Sequence, residues 1–165
     1  MHRWLRSLLW MPAIVACLLG FGAAAVSAAS SEAVLVGRVV LVEGTLLRYV
    51  PDPEDWVAVV QDAPFGLDDA LYSDENTRAE LSMPNRMRIR IGGNTQIQMI
   101  ALNEELTSLD VASGIARLIN SGGSGMIRVS TPFGYAVSEG PSVFDLYVGD
   151  ESVEVAALQG AVDFV

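Results

Sequence analysis

Short runs in which apolar and polar residues alternate with a period of two, broken by turn residues every eight to twelve positions, constrain this chain more than any motif does. The series opens around Val36, Arg38, Val40 and Val42 and continues through residues 45–50, 56–60, 78–83, 86–91, 95–100, 106–111, 114–119, 126–130, 143–148, 152–157 and 161–165. Alternation rich in Val and Ile at this spacing predicts an all-β domain of many short strands, and no stretch carries a sustained 3.6-residue period with caps. The punctuation agrees. Pro51-Asp52-Pro53-Glu54-Asp55 and Met83-Pro84-Asn85 are turns, and Gly92-Gly93-Asn94 and Ser121-Gly122-Gly123-Ser124-Gly125 are strand breaks. Two architectures satisfy the pattern, a β-solenoid-like stack and a two-sheet sandwich or jelly roll, and no fixed-period repeat decides between them.

The first residues follow a different rule. His2, Arg3 and Arg6 precede an uncharged run over residues 7–31 with an apolar centre at Leu8, Leu9, Ile14, Val15, Leu18 and Leu19. A basic start followed by such a centre is the layout of a helical secretory signal peptide. Val26-Ser27-Ala28 sets small residues three and one before a cut between Ala28 and Ala29. The expected organisation is a signal peptide over 1–28, a short leader over 29–33 and one all-β domain over 34–165. Two other readings share the same run. Ile14-Val15-Ala16-Cys17 resembles a lipoprotein box that would acylate Cys17, and the run is also long enough to span a bilayer at about 20 residues. Each reading delivers the domain outside the cytoplasm, in the periplasm, secreted, or tethered to a membrane through an uncleaved or acylated N-terminus.

Past residue 7 there is no lysine and no histidine, and Cys17 is the only cysteine. An imidazole base, a thiolate nucleophile, a Schiff-base amine and a nitrogen or sulfur metal site are therefore excluded from the domain. With Arg3 and Arg6 set aside, eight of the ten basic residues face all twenty acids, a formal charge of −12. Such a surface repels nucleic acid. The use of arginine to the exclusion of lysine reads as a coding bias. A domain of this length buries about two thirds of its unfolded surface, enough for an apolar core without disulfides.

Carboxylates are the general bases left in number. A glycoside hydrolase needs two of them roughly 5–9 Å apart, yet nearly all sit in turns or at outward positions. Calcium, which takes oxygen ligands, would find Asp52, Glu54 and Asp55, or Asp68, Asp69, Asp74 and Glu75, on loops. Neither group has the spacing of a known calcium loop, so no metal site and no cofactor are expected. Arg86, Arg88 and Arg90 alternate with Met87, Ile89 and Ile91, which sets three guanidinium groups on one strand face. They form a candidate docking strip for an anionic partner, against which stands neutralisation by Glu80, expected opposite Arg88. Trp56 would stack on a sugar or, as the head of the Val57 and Val59 strand, close one end of the core; the second is the expectation.

Val36-Gly37-Arg38-Val39, Glu43-Gly44, Trp56 after an acidic turn, Asp68-Asp69-Ala70-Leu71 and Asn76-Thr77-Arg78-Ala79-Glu80-Leu81 come in an order that resembles the FecR-like periplasmic domain family. Ile91-Gly92-Gly93-Asn94-Thr95, Leu109-Asp110-Val111-Ala112-Ser113-Gly114, Val129-Ser130-Thr131-Pro132-Phe133-Gly134 and Gly160-Ala161-Val162 continue it, over about residues 34–165. The resemblance implies an outer domain without the cytoplasmic sigma-factor-binding segment. It also implies a non-catalytic extracytoplasmic module that binds an envelope protein or surface component in signalling or surface organisation. The competing reading is a carboxylate-based polysaccharide hydrolase or a lectin-like carbohydrate binder.

Overall fold

The computed structural model describes residues 35–122 and 125–165. The expectations for Cys17, Ala28 and Ala29 and for the segments 1–28 and 29–33 lie outside the described residues. Fourteen strands follow in order: β1 Gly37–Glu43, β2 Leu46–Pro51, β3 Glu54–Ala58, β4 Pro64–Phe65, β5 Ala70–Ser73, β6 Arg78–Ser82 and β7 Met87–Ile91. β8 Thr95–Leu102, β9 Leu106–Asn120, β10 Met126–Thr131, β11 Gly134–Glu139, β12 Ser142–Val148, β13 Val153–Gln159 and β14 Asp163–Phe164 complete the set. The described chain is all-β, as the alternation predicts.

The strands form one curled sheet with two halves that meet in β9. The first half runs β4-β1-β6-β7-β9-β12-β13 and the second β3-β2-β5-β8-β9-β10-β11-β14. Every ladder among the described residues is antiparallel except β9 with β10. Inward positions of both halves, Leu81, Ile89, Leu118, Phe144 and Leu146 from one and Leu46, Leu71, Ile97, Leu109, Val111 and Val129 from the other, belong to a single buried cluster. Alternation works here as geometry requires: one residue in two faces the core, and β7 buries Met87, Ile89 and Ile91 while exposing Arg90.

The chain crosses between the halves four times along one seam, and these corners stack in a solenoid-like manner although the ladders are those of a two-sheet sandwich. Gly44, at φ +96°, packs against Thr77, and a Cβ there would sit 2.7 Å from the Thr77 hydroxyl oxygen. That hydroxyl donates to the Thr45 carbonyl at 2.9 Å and accepts the Thr45 N–H at 2.8 Å. Gly114, at φ +92°, repeats the device at the last of the four crossings, against Thr95, whose hydroxyl accepts the Ile115 N–H at 2.9 Å. Between them the backbone of Gly93 lies directly on the carbonyl of Glu75. Buried Ser73 joins the same seam, donating to the Gly92 carbonyl at 2.5 Å and accepting from the Thr95 N–H at 3.1 Å.

Gly114 also explains a difference from the sequence reading. Residues 106–111 and 114–119 are not two strands but the two ends of β9, which passes through the corner without leaving extended structure because glycine turns it at positive φ. Three further strands, β4, β5 and β11, escape the alternation. The first two are two and four residues long, and β5 buries a serine, Ser73, beside Leu71.

Candidate functional site

On the outer face of the first half, cross-strand register assembles a row of charges. Glu80 on β6 lies opposite Arg90 on β7, Arg90 opposite Arg117 on β9, and Arg117 opposite Asp145 on β12. At the ordinary strand separation the row is about 14 Å long. Two arginines side by side across a ladder repel, and each is neutralised from its far side. Arg90 Nε donates to Glu80 Oε2 at 2.6 Å, and Arg117 grips Asp145 with two bonds, Nε to Oδ1 at 2.6 Å and Nη2 to Oδ2 at 2.7 Å. The bonds from Arg117 hold the Asp145 carboxyl below its usual range against the opposing effect of burial, and its charge acts in the same direction as those bonds. Two residues along the ladder, on the same face, Ile115 faces Tyr147 and Tyr147 faces Glu154 on β13. Ile115 and Tyr147 are about half exposed, at 50% and 46%.

Arg90, Arg117, Asp145, Ile115, Tyr147 and Glu154 line an open concavity of about 390 Å³ that also touches Arg78, Gly92 and Ala156. A second hollow of about 290 Å³ continues it toward β1 through Arg78, Arg90 and Ile91. Arg78 is paired with Glu43 at 3.6 Å. Among the charged groups lining the larger hollow, Glu154 makes no ion pair within the described residues. Gly92 keeps the floor low, since its Cα faces the Ile115 side chain where a Cβ would stand 3.6 Å away.

The arginine strip expected over residues 86–90 is not a row of three. β7 begins at Met87, and Arg86 precedes it in the turn at φ +68°, exposed and without an ion pair among the described residues. Arg88 and Arg90 both reach Glu80, at 3.4 and 2.6 Å. The residue opposite Glu80 is Arg90 rather than Arg88, because the reversal runs from Met83 to Arg86 and closes with the Met83 N–H on the Met87 carbonyl at 2.8 Å. The wider turn moves the register by two.

Carboxylates scatter. Asp55 and Asp74 each accept the next residue's N–H at 2.8 Å, and Asp69 accepts the Gly66 N–H at 2.8 Å and lies 3.6 Å from Arg48. Among the described residues no three acidic, histidine or cysteine side chains gather as a metal-binding group. The two acids that face the concavity are Asp145 and Glu154. Asp145, locked ionised by Arg117, is a poor proton donor near neutral pH.

The outer face of the second half is built from different chemistry. Trp56 is not at the end of the core: β3 is exposed throughout, and Trp56 lies opposite Tyr49 with ring centres 5.5 Å apart, and 6.1 Å from Tyr72. The parity of Trp56 matches outward Tyr49 and not inward Leu46, which is why it leaves the core. Gln98 and Asp110 continue the same face across β8 and β9, and burial pushes the Asp110 carboxyl up.

Arg117, Asp145, Tyr147 and Glu154 were not singled out by sequence reasoning. The available signal was their shared outward parity on neighbouring segments; what brings them together is register, which a single sequence does not print. The chain matches a family described as FecR protein over residues 69–163. No curated protein and no solved structure matches it significantly. The match covers more than half of the chain, from β5 into β14, and takes in the entire charge row. This chain belongs to the FecR family.

Proposed function

We propose that the domain is a non-catalytic extracytoplasmic module that holds a protein of the cell envelope through the outer face of its first half. The family makes a signalling-related module the coarse reading, and the leader supports delivery across the cytoplasmic membrane. The observation that carries the docking role is the concavity itself, where exposed Ile115 and Tyr147 lie among arginines whose charges are already balanced. Apolar surface beside a polar rim is the anatomy of a protein interface. Arg86, free at the edge of this face, is the member of the expected strip best able to meet an anionic group; Arg88 and Arg90 would have to exchange Glu80 for it. Crosslinking in intact cells from a photoreactive residue at position 115 tests the reading. One envelope protein captured in a Tyr147-dependent manner supports it, and capture of nothing across growth conditions removes it.

A carbohydrate-binding reading is favoured by a separate observation, the Tyr49, Trp56 and Tyr72 cluster beside Gln96 and Gln98 on the second half. Retention on insoluble cell-wall polysaccharide that disappears in Trp56→Ala would favour that reading over the first.

A further inference from the structure

We infer that the partner docks by adding an extended, basic segment to the free edge of β13, a conclusion that rests on the module reading above. Among the described residues the terminal strands of the two halves are β4, β13, β3 and β14, and three of these are guarded or too short to pair. β4 and β14 have two residues each, and β3 follows Pro53 and opens with Glu54 and Asp55. Short strands, prolines and charges are the usual protection of a sheet edge against pairing. β13 is the longest of the four, at seven residues. It pairs only with β12, carries no proline and holds one charged residue, Glu154. Its register is unbroken from Val153 to Ala157 and shifts only at Leu158.

The edge also borders the concavity. Glu154 and Ala156 line the hollow, while Val153 and Val155 pack against the core from the other side. A strand laid along β13 would extend the wall of the hollow with its outward side chains and the margin of the core with its inward ones. Those two environments specify the occupant: apolar residues beside Val153 and Val155, and a cation beside Glu154. The charge follows from complementarity. Glu154 faces the hollow without an ion pair, the arginines of the floor are already matched, and the chain beyond residue 7 carries a formal −12. Opposite charges facing each other across a ladder attract, and like charges repel.

The test uses the full chain and two nine-residue synthetic peptides with the same alternating valines, one with arginine and the other with glutamate at the polar positions. Amide hydrogen exchange is followed by mass spectrometry. The arginine peptide is expected to slow exchange across residues 153–157 and to leave β3 unchanged, and Glu154→Gln to weaken its binding by up to about fivefold. Glu154 is exposed and unpaired, so this variant should keep the melting midpoint of the parent. Exchange unchanged at residues 153–157, equal slowing by the glutamate peptide, or slowing at β3 instead would overturn the proposal. The module reading fails separately. A partner captured in cells whose crosslinks avoid β13 sinks edge docking alone, whereas capture of no partner sinks both.

Discussion

The two halves of the sheet present nearly the same inner surface and opposite outer ones. Inside, Leu118 and Phe144 of the first half and Leu109 and Ile97 of the second are equally buried and join one cluster. Outside, the first half sets Glu80, Arg90, Arg117 and Asp145 in a neutralised row beside a hollow, while the second spreads Trp56, Tyr49, Tyr72, Gln98 and Asp110 over its face. The contrast teaches where to look for function in such a chain. The core selects apolar side chains and admits polar ones such as Ser73 and Thr95 where the backbone supplies hydrogen bonds, while the outer faces are free to differ.

The strongest test of a shared core is a matched pair of cavities. Leu109→Ala and Leu118→Ala should each cost about 2–5 kcal/mol, with one urea transition in both cases. Two separable transitions would break the unity of the halves. Next comes the joint between them. Gly114→Val places a Cβ 2.5 Å from the Asn94 carbonyl at positive φ, and should lower the unfolding free energy by about 3 kcal/mol, also read in urea.

On the outer faces the effects are smaller and differ in kind. Trp56→Ala should cost about 1 kcal/mol, the scale of its ring contacts, rather than the 3–5 kcal/mol of a core tryptophan; calorimetry decides between the two. A double-mutant cycle on Arg117 and Asp145 should give a small favourable coupling that shrinks as salt is added, because both side chains are more than a third exposed. Asp145 is held below its usual range, so this stabilisation is present above the ordinary carboxylate pKa and is lost as pH falls through the lowered one.

Asp110 has the opposite sign and the smallest expected effect. Burial raises its pKa, so the folded state holds the proton more tightly than the unfolded one, and stability declines as pH rises through the raised value. Asp110→Asn should therefore be slightly more stable than the parent at neutral pH and lose that advantage in acid, as thermal midpoints across pH would report. A gain that persists unchanged in acid would place its origin elsewhere than in ionisation.

Segments 78–83, 86–91, 95–100 and 143–148 each fall within two residues of an observed strand end or extend only slightly short of it. Alternation suffices there because the core selects one face. The same logic, applied to Trp56 by size and hydrophobicity instead of parity, set it in the core. The arginine row departs from its expected geometry for a different reason. Arg86, Arg88 and Arg90 have the right parity, but positive φ at Arg86 keeps it out of the strand, and the turn from Met83 to Arg86 chooses which arginine meets Glu80.

By itself the sequence determined that this chain is built of short strands with one apolar face, that a basic start and an uncharged apolar run precede them, and that residues 35–165 hold no lysine, histidine or cysteine for chemistry. All three are properties of individual residues and of spacing along the chain. Which outward residues become neighbours was decided only by the tertiary structure. Arg90 and Arg117 are 27 positions apart, and Arg117 and Asp145 28. Their meeting depends on turn lengths and on corners such as Gly114, where a shift of one residue would send each side chain to the opposite face of the sheet.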